Sequence, residues 1–222
     1  GGITMKLRKI ISLFTAALLI MLCAVPAPAA ESKEASTQIR VQIRVGEQLY
    51  ATYDSSTKTV VVSGNGEMYE NLNNNSTWVR WGSIVEDLII NGVLRIPART
   101  FFGWDHLKNV SINEKPGWRS CYIDEAAFGN CSALLNIRLY NCRYVIGKRA
   151  FYTEKGFNCK TVNFYLINSS AIELFGFGEI LRSSEGINTL SGQILTVRCY
   201  GYPGGTLEAY CRAYGYGFYP LP

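Results

Sequence analysis

Alternation is the first signal in the chain. Ile39, Val41, Ile43 and Val45 are separated by Arg40, Gln42 and Arg44, the two-residue period of a half-buried strand. Leu49–Tyr53 and Thr57–Ser63 are two further β-type runs on either side of Asp54-Ser55-Ser56, and they predict a hairpin. Gly64-Asn65-Gly66 is expected to close this unit with a turn, and Asn71–Ser76 to form an Asn-rich loop.

The period then breaks. Ile123–Leu139 reads IDEAAFGNCSALLNIRL, with apolar residues at uneven intervals. Ile96–Ile112, IPARTFFGWDHLKNVSI, overlays it without a gap. Ile96 falls on Ile123, Thr100-Phe101 on Ala127-Phe128, Trp104 on Cys131, Leu107 on Leu134, Val110 on Ile137 and Ile112 on Leu139. A third copy starts at Ile146, keeps Ala150-Phe151, and then carries two extra residues before Cys159, Val162 and Phe164. The copies begin 27 and 23 residues apart, a spacing typical of stacked repeats. The expected fold class is therefore a repeat solenoid. Short parallel strands would line one face, joined by irregular or helical-turn connections, with a small antiparallel β unit before them and a helix-containing cap after them.

Strands are expected at Asp87–Asn91, Asn109–Asn113, Asn136–Tyr140, Thr161–Tyr165 and Thr196–Tyr200. Their inward pairs would be Leu88/Ile90, Val110/Ile112, Ile137/Leu139, Val162/Phe164 and Val197/Cys199. Phe101, Phe128 and Phe151 would line up in the interior, with a small residue before the phenylalanine letting the next copy pass close by. Asn113–Tyr122 and Arg182–Asn188 are expected to loop out. Near the end, Thr206 is the expected N-cap. Leu207, Tyr210, Cys211 and Tyr214 form a helical stripe, and Gly215 fits the position after it. The stripe points Cys211 at Cys199, which makes Cys199–Cys211 the candidate disulfide.

Composition places these elements in a compartment. Lys6, Arg8 and Lys9 precede an apolar run from Ile10 to Val25, and Ala27-Pro28-Ala29 follows. That order predicts a secretory signal peptide over 1–29, with 1–4 as an upstream extension. The run is shorter than a membrane span requires. Residues 30–36 form a tether, 37–84 the β unit, 85–195 the repeats and 196–222 the cap. The formal charge of +5 falls to about +2 without the leader, 19 basic against 17 acidic side chains, too little to suggest nucleic acid. Six cysteines remain: 121, 131, 142, 159, 199 and 211. An export signal permits disulfides, but Cys131 and Cys159 fill core slots, so most are expected as buried thiols.

The residues also resemble a known family, the BspA-like leucine-rich-repeat proteins, whose unit runs I-G-x-x-A-F-x-x-C-x-x-L-x-x-I-x-I/L. Ile123–Leu139 matches that unit at nearly every apolar slot, and Ile146-Gly147-Lys148-Arg149-Ala150-Phe151 matches its opening. Cys199–Tyr210 with Gly215–Phe218 resembles the family's ending, and Thr59–Met68 resembles the segment before its repeats. Pro97, Trp104 and Cys211 depart from the pattern. The resemblance implies a secreted or surface-exposed bacterial protein that binds host or neighbouring-cell proteins, with no characteristic active site.

Candidate chemistry is sparse. His106 is the sole histidine and is expected at a solvated turn; with a cysteine it leaves one possible pair for a Cys/His enzyme, the less favoured reading. No spacing suggests a metal site and no cofactor is implied. Asp124-Glu125 and Glu86-Asp87 are expected as solvated edges. Binding fits better. Outward positions would form the rows Ile89, Ser111, Arg138, Asn163, Arg198 and Asn91, Asn113, Tyr140, Tyr165, Tyr200. Tyr and Arg are typical interface anchors. The expected function is non-catalytic protein recognition or adhesion, through Ser111, Arg138, Tyr140, Asn163, Tyr165, Arg198 and Tyr200. The alternative is a carbohydrate or cell-wall binding module using Tyr200, Tyr202, Tyr210, Tyr214, Tyr216 and Tyr219.

Overall fold

A computed structural model of the chain describes residues 38–113, 120–153, 158, 161–167, 172–174 and 196–222. The predicted signal peptide and tether, Cys159 and the Arg182–Asn188 segment lie outside these residues. The described ones fall in a single compact unit, Gln38–Pro222.

The hairpin forms, longer than its apolar runs suggest. β1 (Arg40–Arg44), β2 (Gly46–Asp54) and β3 (Thr59–Met68) pair antiparallel in sequence. Gly64-Asn65-Gly66 does not turn the chain. It lies inside β3, where the pairing shifts register. Gly64 takes φ 139°, and a Cβ there would stand 1.9 Å from the Gln48 carbonyl oxygen, so only glycine lets β2 and β3 approach this closely. Nor is the Asn-rich segment a simple loop. After a single 3-10 turn at Leu72–Asn74, α1 (Ser76–Gly82) starts at Asn75, whose side chain accepts from Thr77 N and Trp78 N at 3.0 and 3.1 Å. Such capping satisfies two of the helix's orphan donors.

Beyond α1 come β4 (Asp87–Ile96), β5 (Asn109–Asn113), β6 (Cys121–Ile123), β7 (Asn136–Tyr140), β8 (Tyr144–Ile146), β9 (Thr161–Ile167), β10 (Ile172–Leu174), β11 (Thr196–Gly201), α2 (Thr206–Tyr214) and β12 (Gly217–Pro220). Among the described residues all twelve strands belong to one sheet, ordered β1-β2-β3-β4-β5-β7-β9-β11-β12. β6, β8 and β10 extend it as a branch from the far end of β4. Antiparallel pairing gives way to parallel pairing at β3–β4.

This corrects the expected architecture. The chain is a mixed β-sheet protein, mostly strand with two α-helices among the described residues, and not a repeat solenoid with a separate β unit in front. The overturning feature is the β3–β4 ladder. Val60 sits beside Leu88 and Val62 beside Ile90, so the hairpin completes the open edge of the parallel strands and the sheet runs straight across the expected boundary at residue 84. An unpaired edge would leave a row of backbone donors and acceptors exposed. The connections are less irregular than expected too: Cys121 and Tyr122, assigned to a looped-out insert, start β6, where Cys121 is fully buried.

Local packing follows the motif closely. Phe101 and Phe128 stack at 4.9 Å and 6°, and Phe128 and Phe151 at 5.0 Å and 9°. All three are fully buried, and Phe164 meets the end of the column edge-on at 6.4 Å. Trp78 of α1 packs on Phe101 at 5.2 Å and donates its indole N–H to Thr100 O at 2.8 Å. Trp81 reaches Tyr53 of the hairpin at 5.7 Å, so α1 ties the hairpin to the phenylalanine column. At the other end, Leu207, Tyr210 and Cys211 of α2 are buried as the stripe predicts. The N-cap is Gly205 and not Thr206, which is the first helical residue. Gly215, at φ 72°, ends the helix in the left-handed conformation.

Candidate functional site

The outward residues of the parallel strands form three rows, and one change of register decides which residues share them. Aligning the third motif copy by its Val and Phe puts Val162 beside Ile137. In the structure Phe164 occupies that place, and Leu166 lies beside Leu139. The strand starts at Thr161 and runs on to Ile167, two residues longer than β7. A slip of two residues keeps every side chain on its own face, but it renews every cross-strand neighbour.

Arg138 therefore faces Tyr165, and Asn163 faces Asn136. The central row runs Ile89, Ser111, Arg138, Tyr165, Tyr200, Tyr219. Asn163 and Arg198, expected in it, lie one row over. Tyr140 sits in the third row beside Ile167 and away from Tyr165 and Tyr200. Of the predicted binding residues, the structure brings Ser111, Arg138, Tyr165 and Tyr200 into one line and places Asn163, Arg198 and Tyr140 on its flanks.

Within the central row the guanidinium carbon of Arg138 stands 5.1 Å from the centre of the Tyr165 ring. Tyr165 stacks on Tyr200 at 4.5 Å and 12°, and Tyr200 on Tyr219 at 5.1 Å and 25°. Tyr165 and Tyr200 thus have neighbours on both ring faces, and Tyr219 on one. Tyr219 comes from β12, a strand the sequence did not announce, and is 43% exposed.

The first flanking row is a polar ladder that sequence reasoning missed. Asn163 donates its amide to Asn136 Oδ1 at 3.0 Å, Asn136 to Asn109 Oδ1 at 2.7 Å, and Asn109 to Asp87 Oδ1 at 2.7 Å. The signal was present: each of three parallel strands carries Asn two residues before its outward Ser, Arg or Tyr. Beside the ladder, Thr59, Asp87, Ile89, Asn109, Ser111 and Arg138 line a shallow depression of about 330 Å³. In the third row the Tyr144 hydroxyl is buried under Tyr140. It lies 2.7 Å from Tyr140 O and 3.0 Å from Ile112 O, and accepts from Tyr140 N at 3.1 Å, which fixes the end of β7.

Charge pairing concentrates at the start of the strands. Glu86 accepts from Lys58 and Lys108, both at 2.6 Å. These two ammonium groups, Lys108 foremost, hold its carboxyl down at about 2. Arg95 pairs with Asp124 at 2.8 Å, so that carboxylate is not simply a solvated edge.

The remaining candidates do not converge. His106 is exposed and contacts Asp105 at 2.9 Å. Cys131 is fully buried, donates to Phe101 O at 3.1 Å, and has its thiol pushed up by burial, the opposite of an activated nucleophile. Cys199 and Cys211 are neighbours, as the helical stripe requires, but both are free buried thiols and the expected disulfide is not formed. The hydrogen bond to Cys211, together with burial, pushes Cys199 up. Of the terminal tyrosines, Tyr210 is buried against Tyr216 at 5.5 Å and Tyr200 is held within its stack, while Tyr202 is 41% exposed. The Tyr214 side chain lies outside the described residues. Among the described residues no cluster of His, Cys, Asp and Glu could hold a metal ion, and no helix is long and apolar enough to cross a membrane.

The fold and its exposed rows define a mixed-sheet β protein with an aromatic and basic strip on one face. No family model, no curated protein and no solved structure matches the chain.

Proposed function

We propose that the chain is a non-catalytic recognition protein, secreted or displayed at a cell surface, which binds a protein of a host or neighbouring cell through the open face of its sheet. The observation that carries this reading is the in-register strip Arg138–Tyr165–Tyr200–Tyr219. Tyr supplies a large contact area on few rotatable bonds, and Arg a planar head with several donors. Here strand pairing and mutual stacking hold them in place beforehand, so little ordering is left for binding. The likeness of Ile123–Leu139 and Ile146–Phe151 to the BspA-like unit belongs to the same proposal and supports placement outside the cell.

The carbohydrate alternative gains less support, because sugars stack on open ring faces and the central tyrosine faces are occupied. The test is affinity capture from candidate host or neighbour-cell extracts on the immobilised chain. Arg138→Ala and Tyr165→Ala are expected to lose the captured protein. Retention by both, together with glycan-array binding lost in a Tyr200→Ala/Tyr202→Ala double variant, would move the site to a sugar-binding C-terminal end.

A further inference from the structure

The strip carries an uneven charge. The outward residues of β7, β9 and β11 include Asn136, Arg138, Tyr140, Asn163, Tyr165, Arg198 and Tyr200, and no carboxylate. Arg138 lies over Tyr165, and Arg198 is exposed. Neither forms an ion pair among the described residues. The acids in register on the same face are Asp87 on β4, which takes the amide of Asn109, and Asp54 on β2, which accepts from Ser56 and pairs with Arg40.

The two arginines lie diagonally. They are two strands apart and offset by two residues along the strand. At about 4.8 Å per strand and 3.3 Å per residue, their Cα atoms are separated by roughly 12 Å, with Tyr165 and Asn163 between them. In an extended peptide, side chains on one side recur every second residue, so two carboxylates spaced about four residues apart span roughly 13 Å.

We propose that this face takes an extended acidic peptide segment, with carboxylates on the guanidiniums of Arg138 and Arg198 and the intervening backbone across the hydroxyl of Tyr165 and the amide edge of Asn163. The inference rests on the recognition reading above and names the occupant. Guanidinium groups bind carboxylates through paired, charge-assisted hydrogen bonds, and stacking on Tyr165 presents Arg138 ready oriented. Two cations are too few to track a phosphate backbone, and between the two arginines the ring faces of Tyr165 and Tyr200 are already taken by stacking.

Fluorescence anisotropy on the full chain tests this with fluorescein-labelled Thr/Ser peptides bearing two Glu residues two, four or six positions apart, the Gln counterparts, and a sulfated oligosaccharide. The four-position Glu peptide is expected to bind most tightly. Its Gln counterpart, and the Arg138→Gln and Arg198→Gln variants, are each expected to weaken binding about ten-fold. Added salt is expected to weaken it further. Equal binding of Glu and Gln peptides, indifference to both arginine variants, or arginine-dependent binding of the oligosaccharide alone would overturn the proposal. If the acidic peptides fail while Tyr165→Ala still loses the protein captured from extracts, the occupant is wrong and the recognition face stands; if that capture is unaffected as well, both fall.

Discussion

The asparagine ladder gives the sharpest prediction, because its direction is fixed at one end. Asp87 can only accept, so Asn109 must present its amide to it, its carbonyl then faces Asn136, and the polarity passes on to Asn163. Asn136→Asp keeps the shape and the bond from Asn163 but sets one acceptor against another at Asn109. Asn109 cannot flip without abandoning Asp87 at 2.7 Å. The loss is one hydrogen bond of about 1 kcal/mol, plus an unsatisfied, half-buried acceptor costing about another 1 kcal/mol or more. Asn136→Asp should therefore cost about 2–3 kcal/mol at pH 7. Asn136→Ala loses both ladder bonds but leaves room for water on Asn109 Oδ1 and the Asn163 amide, so it should cost less, about 1–2 kcal/mol. The carboxyl introduced by Asn136→Asp would be stabilised in its protonated form, which can donate to Asn109. Its folded pKa therefore lies above the unfolded value, and the deficit is full above the folded pKa and vanishes below the unfolded one. Urea unfolding at pH 7 and near pH 3.5, each referenced to wild type, measures both. Asn136→Asp matching wild type at pH 7, or Asn136→Ala being the worse variant, would refute the directional ladder.

Other consequences follow from the core and the charged edge. Phe128→Ala removes a ring sandwiched between two others and should cost about 3–5 kcal/mol in denaturant unfolding. Phe102→Ala, whose ring is half exposed beneath Arg99, should cost about 1 kcal/mol or less. Glu86 is held near 2 by Lys108 and Lys58. Its stabilising contribution is present above its unfolded pKa of about 4.3 and is lost as pH falls from there through about 2; thermal unfolding across that window should be steeper in wild type than in Glu86→Gln. Tyr144→Phe should lower stability by about 1–2 kcal/mol and speed hydrogen exchange at the Tyr140 amide, which loses its hydroxyl acceptor.

Much of the fold could be read locally and little of it globally. The hairpin, the strand centres and the phenylalanine column followed from period and motif, because burial alone sets which residues alternate inward. α2 followed from its stripe. The architecture did not follow: repeated apolar slots specify what each strand buries but not what lies on its outer edge. Only the pairing of β3 with β4 merges the hairpin into one mixed sheet. The short strands β6, β8 and β10 carry three residues each, too few for a visible period. The start of α1 was hidden in Asn71–Ser76 because asparagine favours both loops and helix caps, and Asn75 is a cap. On this face, the outward positions of each strand were legible and their grouping across strands was not. A two-residue slip leaves burial unchanged, so hydrophobic pattern has no means of choosing between Asn163 and Tyr165 as the neighbour of Arg138.

Recognition through the tyrosine and arginine strip is tested most directly by comparing two outward-facing tyrosines on different parts of the sheet. Tyr165 is in the stack; Tyr122, 47% exposed, is on β6. Dissociation constants for the protein captured from extracts should rise at least ten-fold for Tyr165→Ala, about 1.4 kcal/mol or more, and stay within about two-fold for Tyr122→Ala. Undiminished affinity in Tyr165→Ala with loss in Tyr122→Ala would place binding elsewhere and contradict the account.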